Sequence, residues 1–396
     1  MRAPTLRKYP YPYRAAMSIT SDIDGTDTLD QHERIRSLLN DEFGIKFTNT
    51  FFPFHDESKF SLFSGKAADK NTIIDDIRKG LIDAIHSFGE KNDFTRQDAL
   101  LTLKALKEKN CKLQVWIDHA ESKSNLCKYR FFGKGDMPGE DEYHFDLLKS
   151  YGIKFIWTER LTNIIGQGVP LKWKSILEIY DRKYPLDSMK NIAKTIAKIA
   201  LDIVGYEKYN YFKHNKLINI ATMRDGQKIY EFIRFNNHPK GAAVGDTFED
   251  LAYLISNKVL CALKKNGGYC IVYVHLGKKF NLDNISSRET IAALHNLKRE
   301  IDCASIYVDR VSKLLTYYLR TNFLEWSFEA LKGGYHIHIS TINDPVFGSF
   351  LPKVTELQNV TFYASGDVKI LVNGVEIKNI RKNPPDYTGK DSVTII

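Results

Sequence analysis

Three aspartates, Asp22, Asp24 and Asp27, fall in the short segment SDIDGTD, directly after the apolar residues Ala15, Ala16, Met17 and Ile19. In an extended segment, side chains two apart share a face, so Asp22 and Asp24 point the same way. Two carboxylates that close repel each other unless a cation, a proton or a basic group compensates. A metal or acid–base site is one outcome of that pattern. The bland outcome is a capped helix start behind an ordinary Asp-Gly turn at Asp24-Gly25. What decides between them is whether other reactive groups reach the same place.

The positioning elements are legible as alternating strand and helix signals. FTNTFFPFH (47–55), LIDAIHSFG (81–89), KLQVWIDH (112–119), IKFIWTER (153–160), IYEFIRFN (229–236) and YCIVYVHLG (269–277) read as further buried strands after the first. Helical spacing of apolar residues occurs over 30–43, 95–109, 186–204, 247–264, 286–301 and 311–331, with a more polar helix near 71–79. Strands alternating with helices imply a parallel sheet. Their number and spread fit a distorted (β/α)7-8 barrel better than a doubly wound sheet, since barrels take ~250 residues plus insertions. No glycine-rich phosphate loop opens any helix, which counts against nucleotide-binding α/β folds.

After Gly333 the pattern changes to YHIHIST, VTFYAS, VKILVNG and VEIKNI, with Asn373-Gly374 as a hairpin signal. The expected division is therefore a barrel over residues 1–332 and a small antiparallel β appendage over 333–396. His336 and His338 alternate along one face of the appendage, a pattern compatible with metal binding but common as a surface feature.

Bulk properties bound the partners. Hydrophobic residues make up 43% and charged residues 27% of the 396, ordinary for a globular protein. The net charge of +9 is modest and mostly a matter of solvated lysines, leaving room for an anionic or phosphate-linked sugar as ligand. No nucleic-acid-binding module is recognisable. Five cysteines without a CxxC pair argue against a disulfide framework. No run is long enough for a membrane span, and the N-terminus lacks a secretory h-region, so a cytoplasmic location is expected.

Asp22 and Asp24, His86, His119, Arg234 and His275 all stand at the carboxyl ends of expected parallel strands, where a barrel gathers its reactive groups. A carboxylate with two histidines is a standard catalytic zinc set, with a position left for water. These residues resemble the motifs of the NodB-homology polysaccharide deacetylases, carbohydrate esterase family 4, in order over roughly 15–278. SDIDG stands for the family's T-F-D-D-G: the metal-binding aspartate falls on Asp24, and the base, displaced from Ile23, falls on Asp22. His86-Ser87-Phe88-Gly89-Glu90 stands for H-[ST]-x-x-H with its second histidine replaced. VWIDH offers His119 as the substitute ligand, with Glu90 as the alternative. YVHLG matches the strand that supplies the general acid, His275.

The resemblance implies a metal-dependent hydrolase that removes an N-acetyl or related acyl group from a sugar or polysaccharide precursor. A divalent cation, zinc above all, would be held by Asp24, His86 and His119. Asp22 would act as base and His275 as acid. Arg234 would orient Asp22 or bind a substrate carboxylate or phosphate. Asp118 is expected behind a histidine, and Trp116 and Trp157 as platforms for sugar rings. The alternatives are an inactive glycan-binding barrel and a metal-free glycoside hydrolase using Asp24 and Glu159.

Overall fold

Ala15–Ser21 (β1) is buried along its whole length, as expected of a strand covered on both faces. The computed structural model describes residues 3–56, 59–89, 94–119, 122–126, 133–282 and 287–396. They divide into a larger unit, Met17–Glu300 with Val308–Ser312, and a smaller one, Met1–Ala16, Ile301–Tyr307 and Lys313–Ile396.

The larger unit is built on one curled, barrel-like α/β sheet. Along the main path of the sheet the strands after β1 are β2 (Thr48–Phe51), β3 (Ile82–His86), β4 (Val115–Ile117), β5 (Phe155–Trp157), β6 (Leu161–Thr162), β7 (Ile218–Thr222), β8 (Lys228–Phe232), β9 (Arg234–Phe235) and β10 (Tyr269–Val274). The spatial order is β6-β9-β10-β1-β2-β3-β4-β5-β8-β7. From β1 through β5 to β8 neighbouring strands run parallel, and β7 lies antiparallel against β8.

The sixth expected strand, 229–236, is interrupted. Fully buried Ile233 separates β8 from β9, so β8 pairs with β5 while β9 pairs with β6 and β10. One stretch of chain thus joins both flanks of the sheet and delivers Arg234 at the join.

The helices are where apolar spacing puts them, with local signals fixing their ends. Ala67–Lys79 stops at Gly80, whose φ of 69° supplies the left-handed cap. Arg96–Glu108 starts behind Thr95, whose backbone N–H donates to Asp98 2.9 Å away in a capping box. Ala99, Leu103 and Leu106 of that helix share a core with Ile73, Ile77, Ile85 and Trp116. The expected helix 247–264 is two pieces, Leu251–Leu254 and Asn257–Asn266. No helix among the described residues is long and apolar enough to cross a membrane.

In the smaller unit, the helix expected over 311–331 ends at Phe323, and Leu324–Leu331 (β11) turns back as a strand on Gly334–Asp344 (β12). The expected boundary at 332/333 therefore falls in the turn of a hairpin, and this unit also draws in the N-terminal strand Thr5–Leu6, paired with Thr361–Tyr363. Nor is the appendage wholly antiparallel: β12 pairs in parallel with Asp367–Val372 (β13). Tyr335, Ile337, Ile339, Val368 and Ile370 form its core.

Candidate active site and metal centre

Asp24 lies just beyond β1 and is enclosed by imidazoles. Its Oδ2 is 2.9 Å from His86 Nε2, its Oδ1 is 2.8 Å from His119 Nε2, and His275 Nε2 stands 3.5 Å from Oδ2. Gly25, at φ 78° and pressed against the backbone of Gly277 and Lys278, makes the turn that leaves Asp24 there; a Cβ would clash.

His86 is the last residue of β3, and its Nδ1 is 3.3 Å from the carbonyl of Ile117 at the end of β4. In the 2.9 Å contact Nε2 donates to Asp24. A cation in its place would take the Nε2 lone pair while the Ile117 carbonyl holds the Nδ1 proton, as in metal-ligating imidazoles oriented by an outer partner. The ring stacks on Phe52, with centroids 5.0 Å apart and planes at 20°, while His119 meets the same phenyl edge-on at 5.1 Å. Asn125 fixes the His119 backbone, accepting its N–H and donating to its carbonyl.

Asp22 is turned to a different partner. Arg234 donates from both terminal nitrogens, 2.8 Å to each carboxylate oxygen, and both side chains are buried. The guanidinium carbon lies 4.0 Å from the centre of the Trp157 ring, which serves as its floor. Oxygen atoms of Asp22 and Asp24 and a nitrogen of His275 nevertheless fall within 4.8 Å of one another.

His275 bridges two acids. Its Nδ1 is 2.8 Å from Asp246 Oδ2, which also has Lys278 Nζ at 3.4 Å, and its Nε2 faces Asp24.

The electrostatics follow from these contacts. Burial opposes the charge on Asp24, but the His86 charge and hydrogen bonds from His119 and His275 hold its carboxyl well below the usual range. Burial likewise opposes ionisation of Asp22, and Arg234 overcomes it, keeping Asp22 below its ordinary value. For His275 burial works against the cation, yet the close carboxylates of Asp24 and Asp246 raise the imidazole to about 9.

The expectations for Trp116, Trp157 and Asp118 change. Trp116 is fully buried and donates from Nε1 to Asp118 at 2.8 Å, while Trp157 is 4% exposed and donates to the Arg160 carbonyl. Neither presents an open ring to a sugar, because both indoles serve the core and, for Trp157, the underside of Arg234. Asp118 supports no histidine: it accepts from Trp116 and from the Leu126 N–H, and burial lifts its carboxyl to about 8. Glu90, the alternative ligand, lies outside the described residues.

Sequence reasoning missed Asp246 and Phe52. Asp246 sits in a loop, GDTFED, with no spacing relation to His275, and Phe52 read simply as part of a strand.

The donors of Asp24, His86 and His119 lie within 4.8 Å of one another and comprise one carboxylate and two imidazoles. That set suits a divalent cation of the zinc class with an open position for ligand. No family model, no curated protein and no solved structure matches the chain.

Proposed function

We propose that this chain is a metal-dependent hydrolase that removes an N-acetyl or related acyl group from a sugar or polysaccharide precursor, on a distorted (β/α)7-8 barrel. The reading is carried by one observation. The Asp24–His86–His119 cluster is flanked by a carboxylate, Asp22, clamped by Arg234, and by an imidazole, His275, backed by Asp246. A proton acceptor and a proton donor next to one metal set are what amide hydrolysis requires.

When bound at Asp24, His86 and His119, a divalent cation supplies Lewis acidity, polarising the acyl carbonyl and easing deprotonation of water. Asp22 accepts the proton of the attacking water. Arg234 holds that carboxylate ionised and fixes its direction, since a bidentate fork leaves little rotational freedom. His275 donates a proton from Nε2 to the leaving nitrogen. Asp246, at Nδ1, orients the ring and keeps it protonated until that step.

Acetate release from an N-acetylhexosamine oligosaccharide tests this reading. Activity is expected to vanish in chelator and to return on adding Zn2+. Binding of the oligosaccharide with no acetate release at any metal would leave only a glycan-binding barrel. Equal activity with and without chelator would exclude the metal from the reaction.

A further inference from the structure

The smaller unit carries a second group of metal-ligating side chains that the proposed reaction does not use. In β12 the burial alternates: Tyr335, Ile337 and Ile339 point into the core, so His336 and His338 stand together on the outer face. On the neighbouring strand β11, Glu329 lies directly opposite His336 in the ladder, and Ser327 lies opposite His338. One ligand atom from each of Glu329, His336 and His338 falls within 4.8 Å of the other two. The two rings have centroids 6.4 Å apart, and His336 Nδ1 is 4.0 Å from Glu329 Oε2.

We propose that Glu329, His336 and His338 form a surface site for a borderline transition cation of the Zn2+ class. Two imidazoles and a carboxylate are the donors such a cation takes, with water completing a tetrahedron. At Zn–N and Zn–O distances of ~2.0–2.2 Å the donors must close to within about 3.5 Å of each other. Small rotations of half-exposed side chains supply that movement without disturbing the strands. The backbone is firm where it matters, because β12 is paired on both sides, with β11 and with β13.

The charges beside the site do not oppose a cation strongly. Lys369 lies opposite His336 on the β13 side, but its Nζ is 3.4 Å from Glu376, which offsets its charge. At 4.0 Å the Glu329–His336 contact is too long for a hydrogen bond, so closing on a metal breaks no strong interaction there. A tie across β11 and β12 would link the two arms of the hairpin that follows Phe323.

The test uses the full chain without an affinity tag, and Zn2+ alone as probe. In a His86→Ala, His119→Ala background, equilibrium dialysis is expected to retain one Zn2+ per chain. Adding His336→Ala and His338→Ala should remove it. Glu329→Gln should weaken it by at least the ~10–100-fold that even an outer-sphere partner is worth. The complementary chain, with only His336 and His338 replaced, reports on the first site alone, so failure of either assignment is read separately. On the unmutated chain, Co2+ should broaden the NMR signals of both His336 and His338. No Zn2+ retained in the first background, or retention indifferent to His336 and His338, would overturn the proposal. So would Co2+ that leaves both imidazole signals sharp.

Discussion

Arg234 grips Asp22 through two 2.8 Å contacts in parallel, and neither side chain reaches solvent. A buried pair of this kind is weak evidence of net stability, yet breaking it is costly, because the surviving charge is left without a partner. Arg234→Met should therefore destabilise the larger unit by ~3–5 kcal/mol. Urea unfolding measures this, and a change within error of zero would mean that water reaches Asp22 in the variant. Adding Asp22→Asn to Arg234→Met should return much of the loss, since no charge then remains buried.

A second buried acid gives the chain a pH signature away from the site. Asp83 is enclosed, accepts from the Ser312 hydroxyl and backbone N–H and from Thr48, and burial raises its carboxyl to about 6. Between roughly pH 4 and 6 the folded chain holds a proton that the unfolded chain has released, so this group's contribution to stability falls as pH rises. The gap from 3.8 to about 6 corresponds to on the order of 3 kcal/mol, with the full penalty present above pH 6. Unfolding midpoints of the native chain and of Asp83→Asn should converge or cross as pH rises through this window. Parallel curves would show that Asp83 does not titrate there.

The hairpin makes a further expectation concrete. A chain ending at Lys332 keeps β11 but loses β12, and it leaves Thr5–Leu6 without Thr361–Tyr363. An unpaired strand beside an uncovered Leu324 is an aggregation hazard. Size-exclusion chromatography should find little monodisperse protein. A well-behaved monomer would show that residues 333–396 are dispensable for solubility.

Much of this architecture could be read from the chain because parallel strands buried on both faces are written as apolar runs. The runs at Ala15, Ile82 and Tyr269 are of that kind, and the polar residue that ends each is conspicuous. That is why Asp24, His86, His119 and His275 could be named before they were seen together. Where local pattern and tertiary pairing disagree, pattern misleads. Leu324, Phe328 and Leu331 keep helical spacing, yet they lie in β11, where pairing with β12 prevails. Trp116 and Trp157 are flat and adjacent to reactive residues, but sequence does not reveal that each indole N–H already has an acceptor. Asp246 reaches His275 through loop geometry alone, which no spacing rule encodes.

Asp22 and Asp24 are chemically alike and two residues apart, but their surroundings divide them. Asp24 faces three imidazole nitrogens, whereas Asp22 faces a guanidinium. Asp24→Asn replaces an anionic donor by a neutral amide, a poor ligand for a divalent cation, so Zn2+ affinity should fall sharply. Asp22→Asn leaves that donor set intact and should retain Zn2+, while removing the group that accepts the proton of water. Turnover should then fall by ~10²–10⁴-fold. Arg234 keeps Asp22 ionised below the usual carboxylate range, so the native chain should lose activity on the acid side as this carboxylate becomes protonated. That limb should be missing from whatever activity Asp22→Asn retains. Dialysis against Zn2+ and acetate release at several pH values, run on both variants, separate the two roles. Equal Zn2+ affinity and equal residual turnover in the two variants would contradict the division, and Asp22 would then be a group that only positions Arg234.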